Sequence, residues 1–157
     1  MSTMLHSEKL NFISNTVPKL LLQLSAEAKG KWGVLNAQQM VEHLINSVRI
    51  ANGKSLETLV TPIDNLERVR SFMLSDKPFK ENTKNVQMPD IPAPAVMESM
   101  KQAIDQLSAE LQDFIKAFEN NPLDTITNPF FGDLNFEEWT HLLNKHFEHH
   151  CYQFNLL

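Results

Sequence analysis

One seam near the C-terminus constrains this chain more than any other stretch. From Phe136 to Asn155 the sequence reads FEEWTHLLNKHFEHHCYQFN, and Phe136, Trp139, Leu143, His146, His150 and Gln153 fall at alternating steps of three and four. A helix presents such a seam to partner helices. Its first half is apolar, as a core seam should be, but its second half is two histidines and a glutamine. Residues four apart stack on one helix face, so the imidazoles of His146 and His150 point at one spot in the interior. A buried imidazole left without a partner costs a few kcal/mol, so the pair calls for hydrogen bonds or a divalent cation. The competing reading is a hydrogen-bonded core pair, the more common fate of a histidine on an apolar face. His149, three residues from His146, is a rival to His150, and His141 reads as solvent-facing.

The rest of the chain is expected to be helical too. Glycine occurs only 4 times in 157 residues, and no stretch alternates convincingly as a strand would. Ser7 is the expected cap of a first helix with Leu10, Ile13 and Val17 inward, kinked or restarted at Pro18. Residues Ser25 to Leu35 read as a loop containing Trp32 and Gly33. Asn36 and Gln39 form a capping box into a helix that stops at Gly53, with Met40, Val41, Leu44, Ile45 and Val48 as its apolar stripe. His43 lies at the margin of that stripe, and this helix alone leaves open whether it is buried or half exposed.

A third helix is expected over Asp64 to Leu74, with Leu66, Val69, Phe72 and Met73 inward. Pro78, Pro89, Pro92 and Pro94 then make Asp76 to Pro94 a non-helical crossover that wraps an edge of the fold. From Ala95 to Asn120, Met100, Ile104, Leu107, Leu111, Phe114 and Phe118 recur at steps of four and three, which suits shallow antiparallel packing. About twenty-five residues would make a rod of roughly 37 Å. NPLDTITNPFFGDL reads as a loop, and Asn135 with Glu138 caps the histidine helix. The expected architecture is an all-α four-helix bundle in a single domain spanning residues 1–157.

Composition excludes several functions. A net charge of -5 without a basic run argues against a nucleic-acid binder. No apolar run reaches the roughly eighteen residues that would span a bilayer, and the N-terminus lacks a secretory pattern. The single cysteine, Cys151, fits a reducing compartment, so the expected location is the cytoplasm. Cys151 falls with Phe147 and Phe154 on another side of the last helix and reads as apolar filler.

The segments KWGVLNAQQMVEHL, NPFFGDLNFEEW and HFEHHCYQF, in that order, resemble the DinB/YfiT-like superfamily of metalloenzymes, and most of all an uncharacterised branch of it. The resemblance runs from Ser25 to Phe154 and implies a four-helix bundle. It also implies that one histidine of the second helix joins an i, i+4 pair of the last to bind zinc or nickel. Carried over, the ligands are His43, His146 and His150, and Gln153 matches a glutamine that often follows the pair. Cys151-Tyr152 stands where an arginine-glycine is frequent, and His149 adds a donor. The resemblance further implies a small-molecule substrate used with a low-molecular-weight thiol, and it is compatible with a homodimer.

Three neutral imidazoles would leave a divalent metal its full charge and an open position, which suits a reactive site better than a structural one. Such a metal would activate water or a thiol. The expected function is therefore a metal-dependent transferase or hydrolase. The alternatives are a non-enzymatic bundle that uses the metal as a staple or binds an apolar ligand, and a helical interaction module without metal. Glu42 and Glu148 neighbour the ligands in sequence but point elsewhere and are assigned no role. Metal affinity is expected to fall as pH drops through the histidine range.

Overall fold

The computed structural model describes residues 2–83 and 90–157, and these form a mostly helical fold with one small β-ribbon. Helix α1 (Ser2–Asn11) passes through a π-helical turn (Phe12–Thr16) into α2 (Val17–Leu21). Ser7 therefore lies inside a helix and does not cap it. Serine marks a start only where the chain before it is not already helical. Pro18 does not break the rod. It has no N–H to give, and the turn before it is widened, with the Val17 N–H reaching back five residues to Phe12 O. Ile13, Val17 and Leu21, four apart, are fully buried.

Helix α3 (Ala37–Ala51) starts at the expected capping box: the Gln39 N–H donates to Asn36 Oδ1 and the Asn36 N–H to Gln39 Oε1, each at 2.9 Å. Its stripe from Met40 to Val48 is buried, and Gly53 takes the positive φ of +81° that turns the chain away. Helix α4 (Ile63–Leu74) is peripheral, contrary to expectation. Only Met73 is buried, Leu66 and Val69 are half-buried, and Phe72 is 39 % exposed.

Helix α5 (Met100–Ala117) is shorter than its periodicity suggested. Pro92 and Pro94 keep the preceding segment extended, and Ser99 caps the helix by accepting from the Gln102 N–H at 3.1 Å. Eighteen residues give about 27 Å. The seam Ile104, Leu107, Leu111 and Phe114 is buried, and α5 packs along α3. Where they meet, the carboxylate of Glu110 is fully buried and accepts from Lys54 at 2.6 Å, Arg49 at 2.8 Å, Asn52 at 3.0 Å and Gln106 at 3.0 Å. Burial alone would raise its pKa, but these donors outweigh it and hold the acid at about 2.

The described parts of the crossover, 76–83 and 90–94, are non-helical, and its residues 84–89 lie outside the described residues. Its end is tied to the start of α3. Glu42 accepts from the Val96 and Met97 N–H groups at 2.9 and 3.3 Å, and Gln38 and Gln39 donate to Met97 O and Ala93 O. The segment read as a loop before the last helix instead contains an antiparallel ribbon, β1 (Ile126–Asn128) with β2 (Gly132–Leu134). Two three-residue strands are too short to show alternation, and the turn is closed by Asn128 Oδ1 accepting from the Phe130 and Phe131 N–H groups.

Helix α6 (Phe136–Gln153) begins at the second expected capping box, Asn135 with Glu138. Arg70 of α4 pairs with Glu138 and donates to Phe131 O and Asp133 O, joining α4, the ribbon and the start of α6. Trp139, fully buried, donates its indole N–H to Ile126 O at 3.0 Å. Helix α6 packs along α1 and touches α3, so the second half of its seam faces His43.

Candidate metal centre

His43, His146 and His150, from α3 and two successive turns of α6, converge with their ligating nitrogens all within 4.8 Å of one another. His146 Nε2 stands 3.1 Å from His43 Nε2 and 3.0 Å from His150 Nε2. The rings meet edge to face, with centroids 4.8 to 5.1 Å apart. This is not the packing of a chance aromatic cluster, since all three rings turn the same nitrogen inward. His150 is buried, and His43 and His146 are partly buried.

Electrostatics keeps the cluster uncharged. Burial, reinforced by the His149 ring, lowers the His43 pKa to about 4, and burial with the His43 ring lowers that of His150 to about 3. Burial first, then its three histidine neighbours, pushes His146 well below its ordinary value. Neutral imidazoles are the form that ligates a metal. Nitrogens bound to one tetrahedral zinc sit roughly 3–3.5 Å apart, given bonds of about 2.0–2.1 Å. The His43–His146 and His146–His150 separations fall at the short end of that spacing, and all three ligating nitrogens lie within 4.8 Å of one another, so donor type and protonation fit a divalent metal.

His149 stands outside the cluster. Its half-buried ring lies against His150, Trp32 and Phe79, with centroids at 5.1, 5.4 and 6.3 Å, and bonds the Phe79 backbone. His141 is not solvent-facing as expected. It is half-buried, with Lys9 Nζ 2.7 Å from its Nδ1 and Ser75 O 3.1 Å from its Nε2, because α1 and the end of α4 cover that flank. Cys151 is buried, and its thiol is pushed up to about 12 by burial and by Glu148, the state of an inert filler.

Two contributors escape sequence reasoning. Lys145, adjoining His146, is buried and donates to Phe72 O, Met73 O and Ser75 O at 2.8, 3.2 and 3.2 Å. It thereby closes the C-terminal end of α4, with its ammonium over the Phe72 and Phe79 rings. Glu42, next to His43, turns away from the cluster to hold the crossover. The backbone groups that these two side chains hold are more than fifty residues away, so no spacing rule finds them.

Gln153 faces His150 Nδ1 through Oε1 at 2.7 Å and donates from Nε2 to Trp32 O at 2.8 Å. The loop before α3 fits around it. The Lys31 N–H donates to Gln153 O at 2.7 Å, and a side chain at Gly30 or Gly33 would come within 2.8 Å of the Gln153 side chain.

The family model of the DinB superfamily matches residues 9–154. The chain therefore belongs to the DinB superfamily, which in general binds metal. Comparison with curated proteins and with solved structures found no match. Among the described residues no helix is long and apolar enough to cross a membrane.

Proposed function

We propose that this chain is a metal-dependent enzyme in which His43, His146 and His150 hold a divalent ion, zinc or nickel. The observation that carries the reading is the convergence of three uncharged imidazoles, with Nε2 atoms 3.0 and 3.1 Å apart across two helices. A metal with three neutral ligands keeps its charge and an open position, where it would acidify a bound water or thiol. The chain's own part is to hold three rings in one orientation, exclude protons from them, and leave one side of the cluster open to a small substrate. A low-molecular-weight thiol as co-substrate, and a transferase or hydrolase reaction, complete the proposal. The same reading takes the α1–α2 rod, α3, α5 and α6 as a single-domain four-helix bundle working in the cytoplasm, where a buried free Cys151 is at home.

A second reading is that the ion merely staples α3 to α6, since its ligands come from both helices. Elemental analysis of the purified protein, followed by chelation, separates the two. The enzyme reading expects one metal per chain and an intact fold after chelation, because α3 and α6 are already held by apolar stripes and capping boxes. Unfolding on chelation favours the staple, and a chain that takes up no metal defeats both.

A further inference from the structure

The amide of Gln153 is buried between two partners that differ in what they can accept. Trp32 O is a carbonyl and can only accept, so the Gln153 nitrogen must lie on that side. The amide oxygen then faces His150 Nδ1, and an amide oxygen cannot donate. His150 Nδ1 must therefore carry the proton, which in a neutral imidazole leaves Nε2, the atom facing His146, with its lone pair free. The loop secures this orientation. Gly30 and Gly33 leave room for the Gln153 side chain and no more, and the Lys31 N–H holds its backbone carbonyl.

We propose that Gln153 is a positioning residue that fixes the His150 tautomer with Nε2 unprotonated, and that the Trp32 loop dictates which way its amide faces. The purpose of this device rests on the metal-site reading above, but the tautomer itself does not. An imidazole without such a partner divides between two tautomers and several ring angles, so the loss should weaken metal binding by about 10–100-fold.

The experiment starts with metal-free, ¹⁵N-labelled wild-type protein, whose long-range ¹H–¹⁵N imidazole spectra report the tautomer directly. His150 should show Nδ1–H. Zinc titrations then compare two variants. Gln153→Leu should bind zinc about 10–100-fold more weakly, with mixed His150 tautomers. Gln153→Glu keeps an acceptor opposite Nδ1, so it should keep the tautomer and lie within a few-fold of wild type, while Trp32 fluorescence shifts because its carbonyl has lost its donor. A His150 Nε2–H tautomer in the wild type overturns the proposal. So does wild-type zinc affinity in Gln153→Leu, or equal losses in both variants. If Gln153→Leu does not fold, the wild-type spectrum and Gln153→Glu still decide. If wild-type protein binds no zinc, the metal reading fails, and the tautomer spectrum alone judges Gln153.

Discussion

Nε2 of His43 and Nε2 of His146 lie 3.1 Å apart, so in a metal-free chain one of the two must carry a proton and the other accept it. A divalent ion would displace that proton. Replacing His43, His146 or His150 with alanine should therefore each cost more affinity than the roughly 10–100-fold lost when a supporting partner is removed. His149→Ala should stay near wild type, since its ring stands outside the cluster. Calorimetric zinc titration of the four variants checks this, and loss at His149 with retention at His150 would reverse the assignment.

Acid should weaken the metal-free fold earlier than carboxylates alone would. In the unfolded chain the histidines titrate near 6.5, whereas folded His43 and His150 resist protonation until about 4 and about 3. Between those values the unfolded chain binds protons that the folded chain refuses, so stability is complete above about pH 6.5 and falls as pH drops towards 4 and 3. The cost is on the order of 3 kcal/mol for His43 alone. Urea unfolding at several pH values should show the decline already under way at about pH 5.5. The same shifts change the expectation for metal affinity: inside the folded chain, proton competition should set in near pH 4 rather than near pH 6.5.

Glu110 should act in the same direction over a lower range. Its pKa is about 2 in the fold against 4.5 ordinarily, so its contribution is complete above pH 4.5 and disappears as pH falls through about 2. Glu110→Gln should destabilise the protein at pH 7 by about 2 kcal/mol, because Arg49 and Lys54 keep access to water when their partner is removed. It should also flatten the acid limb below pH 4.5, as measured by thermal or urea unfolding. Equal stability of variant and wild type at pH 7 would refute it.

Lys145→Met keeps the length of the side chain and removes all three donors to the end of α4. Losing these donors should cost about 1–3 kcal/mol, because Phe72 O keeps the Ser75 hydroxyl and Ser75 O keeps His141. Amide exchange should speed up in the last turn of α4 and the chain that follows, while the His43–His146–His150 cluster still binds zinc. Unchanged exchange in α4 would show that the lysine is not its cap.

What the sequence made legible was local. Both capping boxes span four residues, and the stripes of α3, α5 and α6 follow from one helical period, so each can be read without knowing any partner. The convergence of His146 with His150 belongs to the same class. Illegible were pairings set by distant chain: Gln153 with a carbonyl 121 residues away, and Lys145 with carbonyls up to 73 residues away. The ribbon escaped because three-residue strands carry no period, and α4 misled because an apolar stripe reveals a face but not how much of it is covered. The widened turn at Phe12–Thr16 depends on Pro18 being held inside a packed rod, which sequence alone left as either a kink or a restart.

The separation of His43 from His146 by 103 residues also orders events in time. At elongation rates of about 5–20 residues per second, a ribosome would add His146 roughly 5–20 s after His43. Throughout that interval the nascent chain carries one member of the cluster and lacks the two that would complete a chelate. A lone imidazole holds a metal weakly and exchanges it freely, so an ion met early is released again. On the metal-site reading proposed above, loading would be deferred until the last helix has been made and docked, and the finished fold, rather than the growing chain, would select the metal.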